Sequence, residues 1–148
     1  MLGREIEILV SRLLSRTRTC FLGVYPRNQI PRIVRNSHIS FCFIANTDSS
    51  LGTGKHWVAF HVEANGFCEF FDSLGASPSS YGFILSVPVH CVFTSPIQSR
   101  KSFLCGQFCI LYLYLRSKDK NIKDYLSDHS LSENELRLSR FLERVMEQ

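Results

Sequence analysis

His56-Trp57-Val58-Ala59-Phe60-His61-Val62-Glu63-Ala64-Asn65-Gly66-Phe67-Cys68-Glu69-Phe70-Phe71-Asp72 is the stretch on which the fold turns. Two runs rich in Val, Phe and Trp flank Glu63-Ala64-Asn65-Gly66, and an Asn-Gly pair between two such runs is a strong hairpin signal. The pattern predicts antiparallel strands over Trp57–Val62 and Phe67–Asp72. A turn centred near Ala64 or Asn65 pairs residues whose numbers sum to about 128–130, which sets His56 against Asp72 at the open end of the hairpin. Glu69 stands three residues before Asp72 and therefore points to the other face.

Outward from the hairpin, His38–Asn46 is almost wholly apolar and reads as a strand buried on both faces. A Ser/Gly loop then runs to Lys55. Phe21–Tyr25 reads as a short strand stopped by Pro26, and a Pro-containing loop follows to about Ser37. In Leu2–Arg16, Ile6, Leu9, Val10, Leu13 and Leu14 follow the spacing of an amphipathic helix. Downstream, Leu74–Ser80 is a loop, Tyr81–Val87 a short helix ahead of Pro88, and Cys91–Thr94 a strand. Cys105–Arg116 is apolar almost all round, as in a helix buried at the centre of a molecule. Ser132-Glu133-Asn134-Glu135 has the form of a capping box opening a last helix, with Leu138, Phe141, Leu142 and Val145 facing inward. The expected fold is a single α+β domain over 1–148. Its sheet is mixed but mostly antiparallel, flanked by helices, with a central buried helix that starts at Cys105.

Composition fits that reading. The chain has 148 residues, 45% hydrophobic and 20% charged, enough for a core of its own. No run approaches the ~20 apolar residues of a membrane helix, and charges at Arg4, Glu5, Glu7 and Arg12 interrupt any leader-like segment. The expectation is an intracellular protein without a signal peptide. The six cysteines lie mostly in apolar runs such as Phe41-Cys42-Phe43 and read as free buried thiols. Their spacing lacks a CxxC pair, so no metal site is expected. Net charge is +4 and is concentrated at the start, where Arg4, Arg12, Arg16, Arg18, Arg27, Arg32 and Arg35 face only Glu5 and Glu7. Such a patch is either a solvated face or a surface for a polyanion such as DNA.

Cys105 stands where the buried helix begins, and the free N–H groups there favour a thiolate. Gly106 leaves room for a sharp turn and for a substrate carbonyl. Cys109, one turn on, reads as core. A thiolate nucleophile needs a base, and the base an orienter; His56 and Asp72 supply them from one hairpin. His61 lies inside its strand near Glu63 and Glu69, His90 beside Pro88, and His38 and His129 read as surface positions. For the developing oxyanion, the Cys105 N–H and the side-chain amide of Gln98, in the loop leading to Cys105, are the candidate donors. Trp57 is placed to wall the site.

Together, Asn46-Thr47, Gly54-Lys55-His56-Trp57-Val58-Ala59-Phe60, Asp72 and Gln98 seven residues before Cys105-Gly106-Gln107-Phe108-Cys109 resemble adenain, the adenovirus maturation protease. They resemble still more closely the adenain-like proteases of Polinton/Maverick elements and adintoviruses. Phe21-Leu22-Gly23-Val24-Tyr25 and Phe141-Leu142-Glu143-Arg144 extend the resemblance over nearly the whole chain. It implies a papain-like site in permuted order: His56 as base, Asp72 as orienter, Gln98 in the oxyanion hole and Cys105 as nucleophile. Asp72 departs from the glutamate usual in adenoviruses. The resemblance also implies a thiol endopeptidase that cuts viral precursor proteins at small, glycine-containing sites during particle maturation, in the virion and host nucleus. No cofactor is required for the chemistry, and the enzyme is a monomer without membrane attachment. Activation by a viral peptide and by DNA is implied too, with Cys91 as the cysteine that links the peptide, against the plainer reading of a buried strand cysteine. The alternatives are an isopeptidase of the same fold acting on a ubiquitin-like modifier, and an inactive copy used as a binding module.

Overall fold

Ile6, Leu9, Val10 and Leu14 bury one side of helix α1 (Gly3–Leu14), as their spacing requires. The computed structural model describes residues 1–33, 38–52, 56–126 and 130–148. After α1 come strands β1 (Thr19–Tyr25), β2 (Ser40–Asn46), β3 (Trp57–Val62), β4 (Cys68–Phe71) and β5 (Cys91–Val92), then helices α2 (Cys105–Arg116), α3 (Ile122–Tyr125) and α4 (Leu131–Met146). The strands form one five-stranded sheet in sequential order.

The hairpin forms where the sequence predicts, but its second strand is shorter, Cys68–Phe71, and its register does not set His56 directly opposite Asp72. Gly66 takes the φ of 89° that the turn needs, and the Gly66 N–H donates to the Glu63 carbonyl at 2.8 Å. The β3–β4 register sets Ala59 opposite Phe71 and His61 opposite Glu69. Pairs therefore sum to 130, and His56 lies two residues beyond the position that faces Asp72 across the ladder.

Each face of the sheet carries its own core. On one, Cys42, Ile44, Ala59 and Phe71 meet α1, α2 and α4, with Phe71 stacked on Tyr112 at 4.4 Å between ring centroids. On the other, Phe43, Phe60 and Phe70 pack against Phe83 and the segment around it. This double burial explains why β2 is apolar on both faces. Helix α2 is buried along nearly its whole length because it lies between the sheet and the other helices.

Four further expectations change. The sheet is not mostly antiparallel: β2–β3 and β3–β4 are antiparallel, but β1–β2 and β4–β5 are parallel, because long connections return the chain in the same direction. Residues 81–87 are not a helix. A 3₁₀ turn spans Pro78–Tyr81 and stops at Gly82 with a φ of 80°; beyond it Phe83 is buried while Ile84 is fully in solvent. Strand β5 is shorter than expected. Helix α4 is capped by Ser130 rather than Ser132, with the Ser130 hydroxyl accepting from the Glu133 N–H at 3.3 Å. Ser130 to Glu133 has the same Ser-x-x-Glu spacing, and starting there buries Asn134, whose amide donates to the Ile97 carbonyl at 3.2 Å. Gly54, Lys55, Arg35 and His129 lie outside the described residues. No helix among the described residues is long and apolar enough to cross a membrane.

Candidate active site

The open end of the hairpin and the start of α2 meet. The Thr47 N–H donates to the His56 carbonyl at 2.8 Å, which continues the β2–β3 ladder by one rung and fixes the His56 backbone. Asp72 leaves β4 into a tight turn whose Gly75 N–H donates to the Asp72 carbonyl at 2.9 Å. The two side chains close the diagonal offset of the ladder: His56 Nε2 lies 2.6 Å from Asp72 Oδ1.

Asp72 is fully buried, and its ionised form is fully provided for. Besides His56, Oδ1 accepts from the Leu74 N–H at 3.0 Å, and Oδ2 accepts from the Ala76 N–H at 3.0 Å and the Tyr81 hydroxyl at 2.5 Å. Burial alone would raise the Asp72 pKa; the His56 and Tyr81 hydrogen bonds and the Leu74 amide outweigh it and hold the group below the usual carboxylate range.

With Nε2 committed to Asp72, Nδ1 is the ring nitrogen left for Cys105, which lines the same cleft and raises the His56 pKa. Cys105 is the first residue of α2. Burial would raise its pKa, but the His56 hydrogen bond and the Trp57 and Gly106 N–H groups lower it below the ordinary thiol value. Burial likewise would lower His56; Asp72 and Cys105 prevail and raise it to about 9. The other buried thiols behave in the opposite way. Burial pushes Cys42 and Cys109 up, and Cys68 to about 11. The geometry thus favours a thiolate–imidazolium pair at Cys105 and at no other buried cysteine.

Gln98 is buried at 3% exposure. Its Oε1 accepts from the Ser73 hydroxyl, and its Nε2 donates to the Ser102 carbonyl at 2.9 Å. The Ser73 and Ser102 bonds fix the orientation of the amide, with its oxygen turned to Ser73 and its NH2 to the Ser102 carbonyl. The Ile97 and Gln98 N–H groups both donate to the Ser73 carbonyl, at 2.9 and 3.1 Å, so the loop before Cys105 is stitched to the residue after Asp72. His56, Trp57, Tyr81, Gln98, Phe103 and Cys105 share a cavity of about 650 Å³.

The structure therefore gathers His56, Asp72, Gln98, Cys105 and Trp57. Gly106 adjoins them but does not face the cleft. It packs behind Cys105, where a Cβ would lie 2.8 Å from Ile6 Cδ1 and 3.2 Å from Trp57 Cδ1. A larger residue there would press on α1 through Ile6 and on the Trp57 ring. Cys91 lies apart, exposed on the edge strand β5, so it is not the buried strand cysteine of the plainer reading. His61 is held at the other end of β3, its Nδ1 3.4 Å from Glu69 Oε2. Glu69, as expected, points to the opposite face from Asp72 and accepts from Arg116 Nε at 2.8 Å and the Tyr112 hydroxyl at 3.1 Å. Sequence reasoning missed Ser73 and Tyr81. Ser73 adjoins Asp72, and that adjacency was the available signal; Tyr81 sits beyond a serine-rich turn and carries none. No group of three or more metal-ligating side chains occurs among the described residues.

No family model matches the chain. Among curated proteins it is similar to one described as a SUMO-1 cysteine protease of African swine fever virus (a warthog isolate from Namibia), 28% identical over 130 residues, covering 77% of this chain and 47% of that protein. The counterpart from a pig isolate from Kenya is 29% identical over 122 residues, covering 72% and 44%. A crystal structure of the protease of that virus aligns with a TM-score of 0.46 and 26% identity over 67% of this chain and 43% of that one. The chain thus spans about half the length of the curated relatives it matches, and what it is similar to there is a cysteine protease.

Proposed function

We propose that this chain is the catalytic part of a cysteine endopeptidase with Cys105 as nucleophile, His56 as base and acid, Asp72 as orienter and Gln98 in the oxyanion hole. One observation carries the reading: His56 bridges a fully buried carboxylate and a helix-start thiol within one cleft. The Cys105 thiolate attacks the scissile carbonyl carbon, and the oxyanion forms between the Cys105 N–H and the Gln98 amide. His56 gives its Nδ1 proton to the leaving amine, which departs and leaves a thioester. His56 then takes a proton from water as the water oxygen attacks the thioester carbonyl; the C–S bond breaks, the carboxylic acid product leaves, and the Cys105 thiolate is restored beside the imidazolium that keeps that proton.

The substrates proposed are viral precursor proteins cut at small, glycine-containing sites during particle maturation, in the virion and host nucleus. The adenain-like motif set and the viral origin of the similar proteases support this. The exposure of Cys91 on an edge strand supports it as the link to an activating peptide; a Cys91→Ala variant with unchanged activation would remove that role. The early arginines support stimulation by DNA, which a peptidase assay across a salt series tests; no DNA effect at low salt would overturn it.

A second reading is favoured by the description of the relatives as SUMO-1 cysteine proteases: release of a ubiquitin-like modifier at its C-terminal glycines. One assay separates the two. Wild type and Cys105→Ala are offered glycine-containing precursor peptides and a SUMO-1 C-terminal fusion. Cleavage of the peptides alone supports the maturation reading, and cleavage of the fusion alone supports the second. Cys105→Ala should lose at least about a thousandfold in kcat; equal cleavage by both proteins would end the assignment of the nucleophile.

A further inference from the structure

We propose that Tyr81 is a positioning residue for this site, fixing the plane of the Asp72 carboxylate through its hydroxyl and closing the His56–Asp72 bond against solvent with its ring. The proposal rests on the cysteine-peptidase reading above and adds to it a residue from outside the sequence motif.

The geometry is specific. The Tyr81 hydroxyl donates to Asp72 Oδ2 at 2.5 Å, on the oxygen that does not face His56. A carboxylate held on one oxygen by an imidazole can still rotate about its Cβ–Cγ bond. The Leu74 and Ala76 N–H groups hold one oxygen each, and the Tyr81 hydroxyl, the side-chain donor on Oδ2, tightens that restraint from the side of the cleft. The Tyr81 ring lies 5.8 Å from the His56 ring, centroid to centroid, tilted by 40°, and it lines the cleft beside Cys105. Tyr81 is itself anchored. Its carbonyl accepts from Arg27 Nη1 at 3.1 Å, and the same nitrogen donates to the Thr47 carbonyl at 3.2 Å. Arg27 thus ties the Pro78–Tyr81 turn to the end of β2, whose next rung holds His56. Gly82 ends that turn with a φ of 80°, which fixes where Tyr81 can stand. The groups around His56 are Asp72, Cys105 and Tyr81, with Arg27, Asp48 and Arg100 further along the cleft wall.

Correct orientation of a buried orienter is worth much to a base that must cycle between imidazole and imidazolium. Loss of the phenol oxygen therefore acts on turnover and on the thiolate–imidazolium pair, not on substrate capture.

The test is Tyr81→Phe in the full chain, read in two ways. In peptide hydrolysis, kcat falls roughly tenfold while KM stays within about twofold. In alkylation of Cys105 by iodoacetamide against pH, the range in which the thiol reacts as an ion pair narrows. An Asp72→Asn background shows whether Tyr81 acts through Asp72: there, Tyr81→Phe has no further effect on the alkylation profile. An unchanged kcat and alkylation profile in Tyr81→Phe would overturn the proposal, as would an equal effect in the Asp72→Asn background. Alkylation needs no substrate. A wild type that shows the ion-pair profile but cleaves no peptide therefore refutes the peptidase reading and leaves Tyr81 to be judged on the profile alone. Failure of Tyr81→Phe against a wild type that does cleave refutes only the role of Tyr81.

Discussion

At the scale of single residues, the site turns on how one imidazole is shared. His56 sits between a carboxylate and a thiol, and both neighbours raise its pKa, to about 9, against the opposing pull of burial. Cys105 moves the other way, down, against the pull of burial, because the imidazolium and the Trp57 and Gly106 N–H groups stabilise the thiolate. The sign follows directly. As pH rises through the thiol's lowered pKa the ion pair forms, and as it rises through about 9 the imidazolium is lost. The kcat/KM profile is therefore expected to be a bell whose alkaline limb falls near 9; a limb near the ordinary histidine value would mean that Asp72 does not hold His56. Ser73 offers a second prediction. Its hydroxyl pins the Gln98 amide by Oε1, so Ser73→Ala frees that amide to flip. Peptide kcat should fall several-fold, within the range for a weakened oxyanion donor of up to about a hundredfold. The rate of Cys105 alkylation should not change, because alkylation forms no oxyanion.

At the scale of elements, the packing of α1 on α2 sets where Cys105 stands. Ile6 and Trp57 press on Gly106, leaving no space for a methyl group. Gly106→Ala should therefore cost about 1–3 kcal/mol despite the better helix propensity of alanine, seen as a lowered Tm. The clash at 2.8 Å is with the terminal carbon of Ile6, so Ile6→Val in the same chain should restore part of the loss. No recovery would show that the cost lies elsewhere. The hairpin is the other element that matters, and here the sequence was informative. Asn65-Gly66 marks the turn, and the turn alone brings His56 and Asp72 within reach of each other. What pattern reading could not supply was the offset of two residues in the ladder, since a turn centre is known only to within a residue from its dipeptide. The Pro78–Tyr81 turn was illegible for a related reason: Tyr81 is brought to Asp72 by Gly82 and by Arg27, contacts that carry no period.

At the scale of the whole molecule, two buried polar groupings pin the sheet to its helices at opposite ends of the hairpin. One is the candidate active site. At the other, Arg116 at the end of α2 reaches Glu69 at 2.8 Å and Glu63 at 3.0 Å, while His61 and Tyr112 complete the surroundings of Glu69. Burial would raise the Glu69 pKa, but His61 and Arg116 outweigh it and lower it. Its stabilising contribution is then complete above the unfolded carboxyl value and is lost as pH falls through the lower folded value. Glu69→Gln should accordingly flatten the fall of Tm on acidification below the ordinary carboxylate range. Arg116→Met should cost about 2 kcal/mol, less than removal of a partner from a fully buried pair, because Glu63 remains 38% exposed. The apolar runs of β2 and α2 announced a sheet covered on both faces and a central helix, and the structure has both. The parallel pairing of β1 with β2 and of β4 with β5 was not legible, because strand direction depends on the path of the connecting segments, which hydrophobic periodicity does not record.

Under the proposed function Cys105 is the reactive thiolate among the six cysteines, and the protein carries its own controls in the exposed thiols Cys20 and Cys91. The most direct measurement is the rate of iodoacetamide alkylation of each cysteine in the native chain as a function of pH, resolved by peptide mass. Cys105 is expected to react first, its reactivity should persist well below the ordinary thiol range, and His56→Ala should abolish this lead. Reaction of Cys20 and Cys91 ahead of Cys105, with Cys105 following an ordinary thiol profile unaffected by His56→Ala, would contradict it.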